Sequence, residues 1–134
     1  MKLYDDEFIT LSIDESVPCL EWIGKKFMSS EEFRVSEEKS LQFYKQFKGK
    51  YPRFEWFVDA RNIGPIGTED TQWVVEKILP QFAAAGLKKE VFVIPTSALG
   101  KIVLRNYVSS AGKVIEIQAF STVEEAKNWL MGKK

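Results

Sequence analysis

Two short runs, one mostly apolar and one wholly so, constrain this chain more than anything else in it. Phe54-Glu55-Trp56-Phe57-Val58 and Val91-Phe92-Val93-Ile94 have the length of strands and little of the alternation a half-exposed strand shows. Runs of this kind belong to strands buried on both faces, which places them in a parallel sheet covered by helices. The segments around them agree. Residues 8–14 alternate, with Ile9, Leu11 and Ile13 on one face, and read as a half-buried strand. Residues 17–23 read as a second strand, with Leu20 and Trp22 on one face and Cys19, Glu21 and Ile23 on the other. The short connection at Glu15-Ser16 makes this pair an antiparallel hairpin, and Pro18 belongs at a strand start or edge because it lacks the ladder N–H.

Helical patterns fill the gaps. Ser29-Ser30-Glu31-Glu32 has the form of a capping box, Ser29 with Glu32, opening a helix to about residue 48. Leu41, Tyr44 and Phe47 form its apolar stripe, and Glu31-Glu32 and Glu37-Glu38 read as its solvated face. Thr68 is the expected N-cap of a second helix, with Glu69 and Asp70 in its positive first turn. Pro80 falls inside that helix and must kink or interrupt it. Thr96-Ser97 caps a third helix, residues 114–120 form the last strand, and Ser121 or Thr122 caps a final helix. The order ββαβαβαβα defines a single α/β domain: a mostly parallel sheet with a leading antiparallel hairpin.

Composition then removes whole chemistries. The 134 residues include no histidine and one cysteine. Ser-His-Asp and Cys-His nucleophiles are therefore excluded, as are intramolecular disulfides and multi-thiolate zinc sites. Nineteen bases balance nineteen acids, which argues against nucleic acid as a partner. No run reaches the roughly 20 apolar residues of a membrane span. The acidic start, residues 1–7, has no signal-peptide core, so the cytoplasm is the expected compartment. Gly64-Pro65-Ile66-Gly67 lacks the Lys-Ser/Thr of a P-loop and the third glycine of a dinucleotide motif, so no cofactor is expected there.

An ordered series of segments resembles the SpoIIAA-like (STAS-like) proteins, especially an uncharacterised Bacteroidetes-type branch. The series is Ser29-Ser30-Glu31-Glu32-Phe33-Arg34, Asp59-Ala60-Arg61-Asn62-Ile63-Gly64, Glu69-Asp70-Thr71-Gln72-Trp73, Pro80, Gly86-Leu87-Lys88-Lys89 before Val91-Phe92-Val93-Ile94-Pro95, and Phe120-Ser121-Thr122-Val123-Glu124-Glu125-Ala126-Lys127-Asn128-Trp129-Leu130. The resemblance spans about residues 8–131. It implies parallel strands and helices behind a leading hairpin, and a protein that works by binding rather than by chemistry. One departure stands out. The antagonist members carry a phosphorylatable Ser beside an Asp where this chain reads residues 63–70, with Thr68 as the nearest hydroxyl. Two carboxylates follow Thr68 and would repel a phosphate, so the phospho-switch does not carry over.

Ligands of open α/β sheets sit outside the carboxyl ends of the parallel strands. Three loops qualify, 59–68, 95–98 and 120–122. Their polar groups, Asp59, Arg61, Asn62, Thr68, Thr96, Ser97 and Ser121, with Asp70 just beyond, are the candidate ligand- or partner-binding residues. Arg61 suits a small anion, which helix N-termini also favour. Each residue also has a structural reading: Thr68, Ser97 and Ser121 as caps, Asp59 and Arg61 as an ion pair. The four tryptophans and Cys19 suit packing.

Three functions remain to be weighed. The first is a non-catalytic regulatory domain that contacts another protein. The second is a small-molecule or lipid-binding domain related to the CRAL-TRIO carriers. The third is an enzyme with Asp59 as base and Arg61 as electrophile, disfavoured because an adjacent Arg lowers the carboxylate pKa. A homodimer through the uncovered hairpin edge is a further alternative.

Overall fold

The computed structural model describes residues 1–133. They form one six-stranded sheet whose spatial order follows the chain, β1-β2-β3-β4-β5-β6. The strands are β1 (Lys2–Asp5), β2 (Ile9–Asp14), β3 (Cys19–Gly24), β4 (Glu55–Asp59), β5 (Lys89–Val93) and β6 (Glu116–Phe120). β1 to β3 form an antiparallel meander, and β3 to β6 are parallel. The helices are α1 (Ser30–Phe47), α2 (Thr68–Trp73), α3 (Leu79–Ala84), α4 (Ala98–Ala111) and α5 (Val123–Leu130). The expected α/β architecture is therefore present, with one strand added in front.

That added strand changes the edge. β1 lies outside β2, so the hairpin edge expected to be open is covered. The new edge is four residues long, carries Lys2 and Asp5, and has a register shift between Lys2 and Tyr4. Short, charged and irregular edges resist pairing with another chain.

β4 and β5 are buried along nearly their whole length, as their apolar runs require. Residues alternate between two cores. Leu20, Trp22, Trp56, Val58 and Phe92 belong to the larger core, beneath α1, α2–α3 and α4. Cys19, Phe57, Val91 and Val93 belong to the smaller one, beneath Ala126 and Leu130 of α5. Three successive crossovers on one face of a sequentially ordered parallel sheet are what a common hand of crossover demands. Trp56 stacks on Phe82 with ring centroids 4.1 Å apart, and Tyr44 stacks on Phe54 while donating its hydroxyl to the Phe54 carbonyl at 2.8 Å. Each such ring pair contributes about 1 kcal/mol beyond simple burial.

The helix ends mostly follow the expected caps. At α1 the Glu32 N–H donates to Ser29 Oγ at 3.2 Å, and the Ser29 N–H donates to Glu32 Oε1 at 2.8 Å. Ser97 caps α4 and Thr122, not Ser121, caps α5. Thr68 departs from expectation. Gly67 is the N-cap of α2, without a side-chain bond, and Thr68 is the first helical residue. The Pro80 interruption takes a specific form. Residues Val74–Ile78 widen into a π-turn, and Pro80 then lies in the first turn of α3, where its missing N–H costs least.

Candidate functional site

Of the polar loop residues at the carboxyl end of the sheet, three are engaged with one another. Asp59 ends β4 and is buried. Arg61 grips it in a fork, Nη2 to Oδ2 at 2.6 Å and Nε to Oδ1 at 3.0 Å, and the Arg61 N–H adds a third bond at 3.2 Å. Thr96 Oγ1 donates to the Arg61 carbonyl at 3.1 Å, tying the two loops together. Asp59, Arg61 and Thr96 thus converge. Asp70 belongs elsewhere. It is buried against α1, where Arg34 Nε donates to it at 2.8 Å and Ser30 Oγ at 2.7 Å. Arg34 also lies over the Trp73 ring, 4.8 Å from its centroid. Asn62, Thr68, Ser97 and Ser121 are exposed, and Ser97 is occupied as a cap.

The same loops do something the polar residues did not suggest. Their apolar positions, Ala60, Ile63, Gly64, Ile66 and Pro95, roof a cavity of about 70 Å³. Two glycines make that roof feasible. A Cβ on Gly24, at the end of β3, would sit 1.9 Å from Ile63 Cγ2, so only glycine lets the loop lie this close. Gly64 has φ +70, a left-handed turn that favours glycine. The floor of the cavity is the sheet, through Trp22, Trp56, Val58, Glu90 and Phe92. The walls come from Phe33 and Glu37 of α1, Val74 at the start of the π-turn, and Val103, Leu104 and Tyr107 of α4.

Two carboxyl groups therefore face one largely apolar cavity. Glu37 is 7 % exposed and Glu90 2 %. This overturns the reading of Glu37 as part of a solvated helix face. It lies one turn from Phe33 and one from Leu41, both buried, so its position on the helix turns it inward. Glu90 precedes Val91-Phe92-Val93 and, at strand period two, shares the face of Phe92. It pairs in register with Trp56 of β4. Tyr107 donates its hydroxyl to Glu90 Oε1 at 2.7 Å. Glu37 Oε2 and Trp56 Nε1 are buried with no hydrogen-bond partner.

Electrostatics follow from that burial. Desolvation raises the Glu90 carboxyl to about 8, against the opposing hydrogen bond from Tyr107. Desolvation, helped by repulsion from Glu90, pushes Glu37 well above the carboxylate range. Burial and the two glutamates likewise push the Tyr107 phenol up. Burial thus favours the protonated form of both acids. Cys19 is buried on the opposite face, where desolvation raises its thiol far above the reactive range.

A six-stranded α/β sheet with a small acid-bearing cavity at the carboxyl ends of β3 to β5 defines the molecule structurally. Comparison with family models, with curated proteins and with solved structures finds no match to the chain. Among the described residues no helix is long and apolar enough to cross a membrane.

Proposed function

We propose that this is a non-catalytic, STAS-like binding domain that takes a small molecule in the cavity between the sheet and α1, α2 and α4. The observation that carries this reading is a pair of buried, unpartnered polar atoms, Glu37 Oε2 and Trp56 Nε1, lining one cavity. Unpaired buried polar atoms cost on the order of 1–3 kcal/mol each, a cost a bound ligand removes. The loops after β4 and β5 that roof the cavity stand at the carboxyl ends of the strands, the end at which open parallel sheets bind ligands. At about 70 Å³ it is far below the roughly 300 Å³ of a site for a drug-sized molecule, so the ligand is a small molecule or the tip of a larger one, and a lipid acyl chain does not fit.

The test is binding of small polar organic compounds, read from the indole N–H resonance of Trp56, with Val103→Phe as the blocked control. The expected result is saturable shifts in the natural protein and none in the variant. Shifts that persist undiminished in Val103→Phe sink the reading.

Contact with another protein is the second reading, favoured by Leu99 and Ile102. These neighbours on α4 are 57 % and 48 % exposed. A partner held there is lost from cross-linked extracts when both are changed to Ser. The Asp59 and Arg61 enzyme gains no support, because each side chain occupies the other.

A further inference from the structure

We propose that the cavity receives a small organic ammonium ion, seated between the carboxyl groups of Glu37 and Glu90 and against the rings of Trp22, Trp56 and Phe92. This rests on the reading of the cavity as a ligand site and names the chemistry of its occupant.

Charge is the first argument. The other buried carboxylates are matched by an Arg side chain or by two backbone N–H groups, while Glu90 has only the Tyr107 hydroxyl and Glu37 keeps an unpaired oxygen. Asp59 has Arg61, Asp70 has Arg34, and Glu55 accepts from the backbone N–H groups of Lys88 and Lys89. Glu37 and Glu90 are buried just as fully, come from different elements, and have no Lys or Arg within ion-pair distance among the described residues. Two acids in one cavity with no cation of the protein beside them leave a place where an entering cation gains a carboxylate partner. An anion finds no opposite charge there.

The lining decides which cation. A hard metal ion such as calcium takes about six to eight oxygen ligands, and two carboxyl groups do not supply them. Among the described residues no three metal-ligating side chains gather in one place. Aromatic and aliphatic walls instead suit an organic ammonium, whose charge is attracted to ring faces while its carbons replace water against Val58 and Leu104. Three N–H donors on one nitrogen reach more than one acceptor, including the unpaired Glu37 Oε2. The small volume restricts the ion to a few heavy atoms. Trp56 Nε1 needs an acceptor, which a hydroxyl on the same short ligand provides. Ethanolamine has both groups.

On binding, the ammonium keeps its protons and the carboxyl that pairs with it releases its own to solvent. The groups facing that carboxyl are Glu37 from α1, Glu90 from β5 and the Tyr107 hydroxyl from α4.

The experiment titrates the full chain with ethanolamine, n-propylammonium, n-propanol and propionate at matched ionic strength, following the Trp56 indole N–H. Both amines are expected to give saturable shifts, n-propanol to bind about tenfold more weakly or worse, and propionate to give no shift. Glu37→Gln and Glu90→Gln are each expected to weaken the amines about tenfold and leave n-propanol within about threefold. Gln at 90 keeps an acceptor for Tyr107, so that variant decides the matter if the other does not fold. If n-propanol matches the amines and the Gln variants bind them unchanged, the ammonium proposal falls and the small-molecule reading stands. If no probe shifts the resonance, both fall.

Discussion

The two faces of the sheet handle pairs of acids in opposite ways. Under α5, Lys127 reaches Asp14 at 2.7 Å and Glu21 at 2.6 Å, so two half-buried carboxylates share one cation. Burial pulls the Lys127 ammonium down, but those two bonds outweigh it and its pKa is raised. On the other face Glu37 and Glu90 have no such cation, and burial favours their protonated forms instead. The first arrangement stabilises the fold with its own charges. The second leaves the fold carrying a cost that only protonation or a ligand relieves. The two faces of one sheet thus treat buried charge differently.

The largest effect expected from breaking this contrast is a change in pH dependence. Glu90 is raised from 4.5 to about 8, so its neutral form is the one folding favours. Its contribution to stability is complete below about 4.5 and is lost as pH rises through about 8. Over that interval the natural protein should lose roughly 5 kcal/mol at the upper limit, taking about 1.4 kcal/mol per pKa unit. Glu90→Gln should flatten the slope and be the more stable protein at the alkaline end, as read from urea midpoints across pH. A slope unchanged by the substitution would show that Glu90 is ionised in the native state.

On the opposite face the sign reverses. Lys127→Met strips the cation from Asp14 and Glu21 and should cost about 2–3 kcal/mol at neutral pH, less than for a fully buried pair because water reaches the site. A loss below about 0.5 kcal/mol in urea unfolding would put the pair among ordinary surface contacts. The smallest effects separate two caps. Ser29→Ala should cost about 1 kcal/mol, since both bonds of its capping box are made. Thr68→Ala should stay within about 0.5 kcal/mol, because Gly67 holds the cap position. Equal losses at the two positions would contradict the α2 boundary.

Much of the fold was legible in local patterns. The runs at 54–58 and 91–94 predict doubly buried strands, and the Ser29 capping box and the Ser97 cap appear where expected. The misses are local as well. β1 is four residues long, with only Leu3 and Tyr4 to pack against the core, too little for a periodic signal. Thr68 yields to Gly67 because the loop enters α2 one residue earlier than the hydroxyl suggests.

The candidate site was legible only in its address. The loops at the carboxyl ends of the strands contribute their apolar residues to the cavity, while Asp59 and Arg61 satisfy each other. Glu37 carried a signal, since it continues the spacing from Phe33 to Leu41. Its neighbour in the chain, Glu38, about 100° further round the helix and exposed, masked that signal.

By itself the sequence determined the class of fold, the caps and the chemistries ruled out by the absence of histidine, because periodicity and composition are properties of neighbours along the chain. Only the tertiary structure decided that Glu37 and Glu90, 53 positions apart by subtraction of their numbers, face one cavity. Whether a carboxyl group is solvated or desolvated depends on what packs over it, and that is set by the crossing of α1 and α4 over β4 and β5. The same physics that makes the site costly makes it invisible to local reading: an acid looks like surface until the rest of the molecule closes around it.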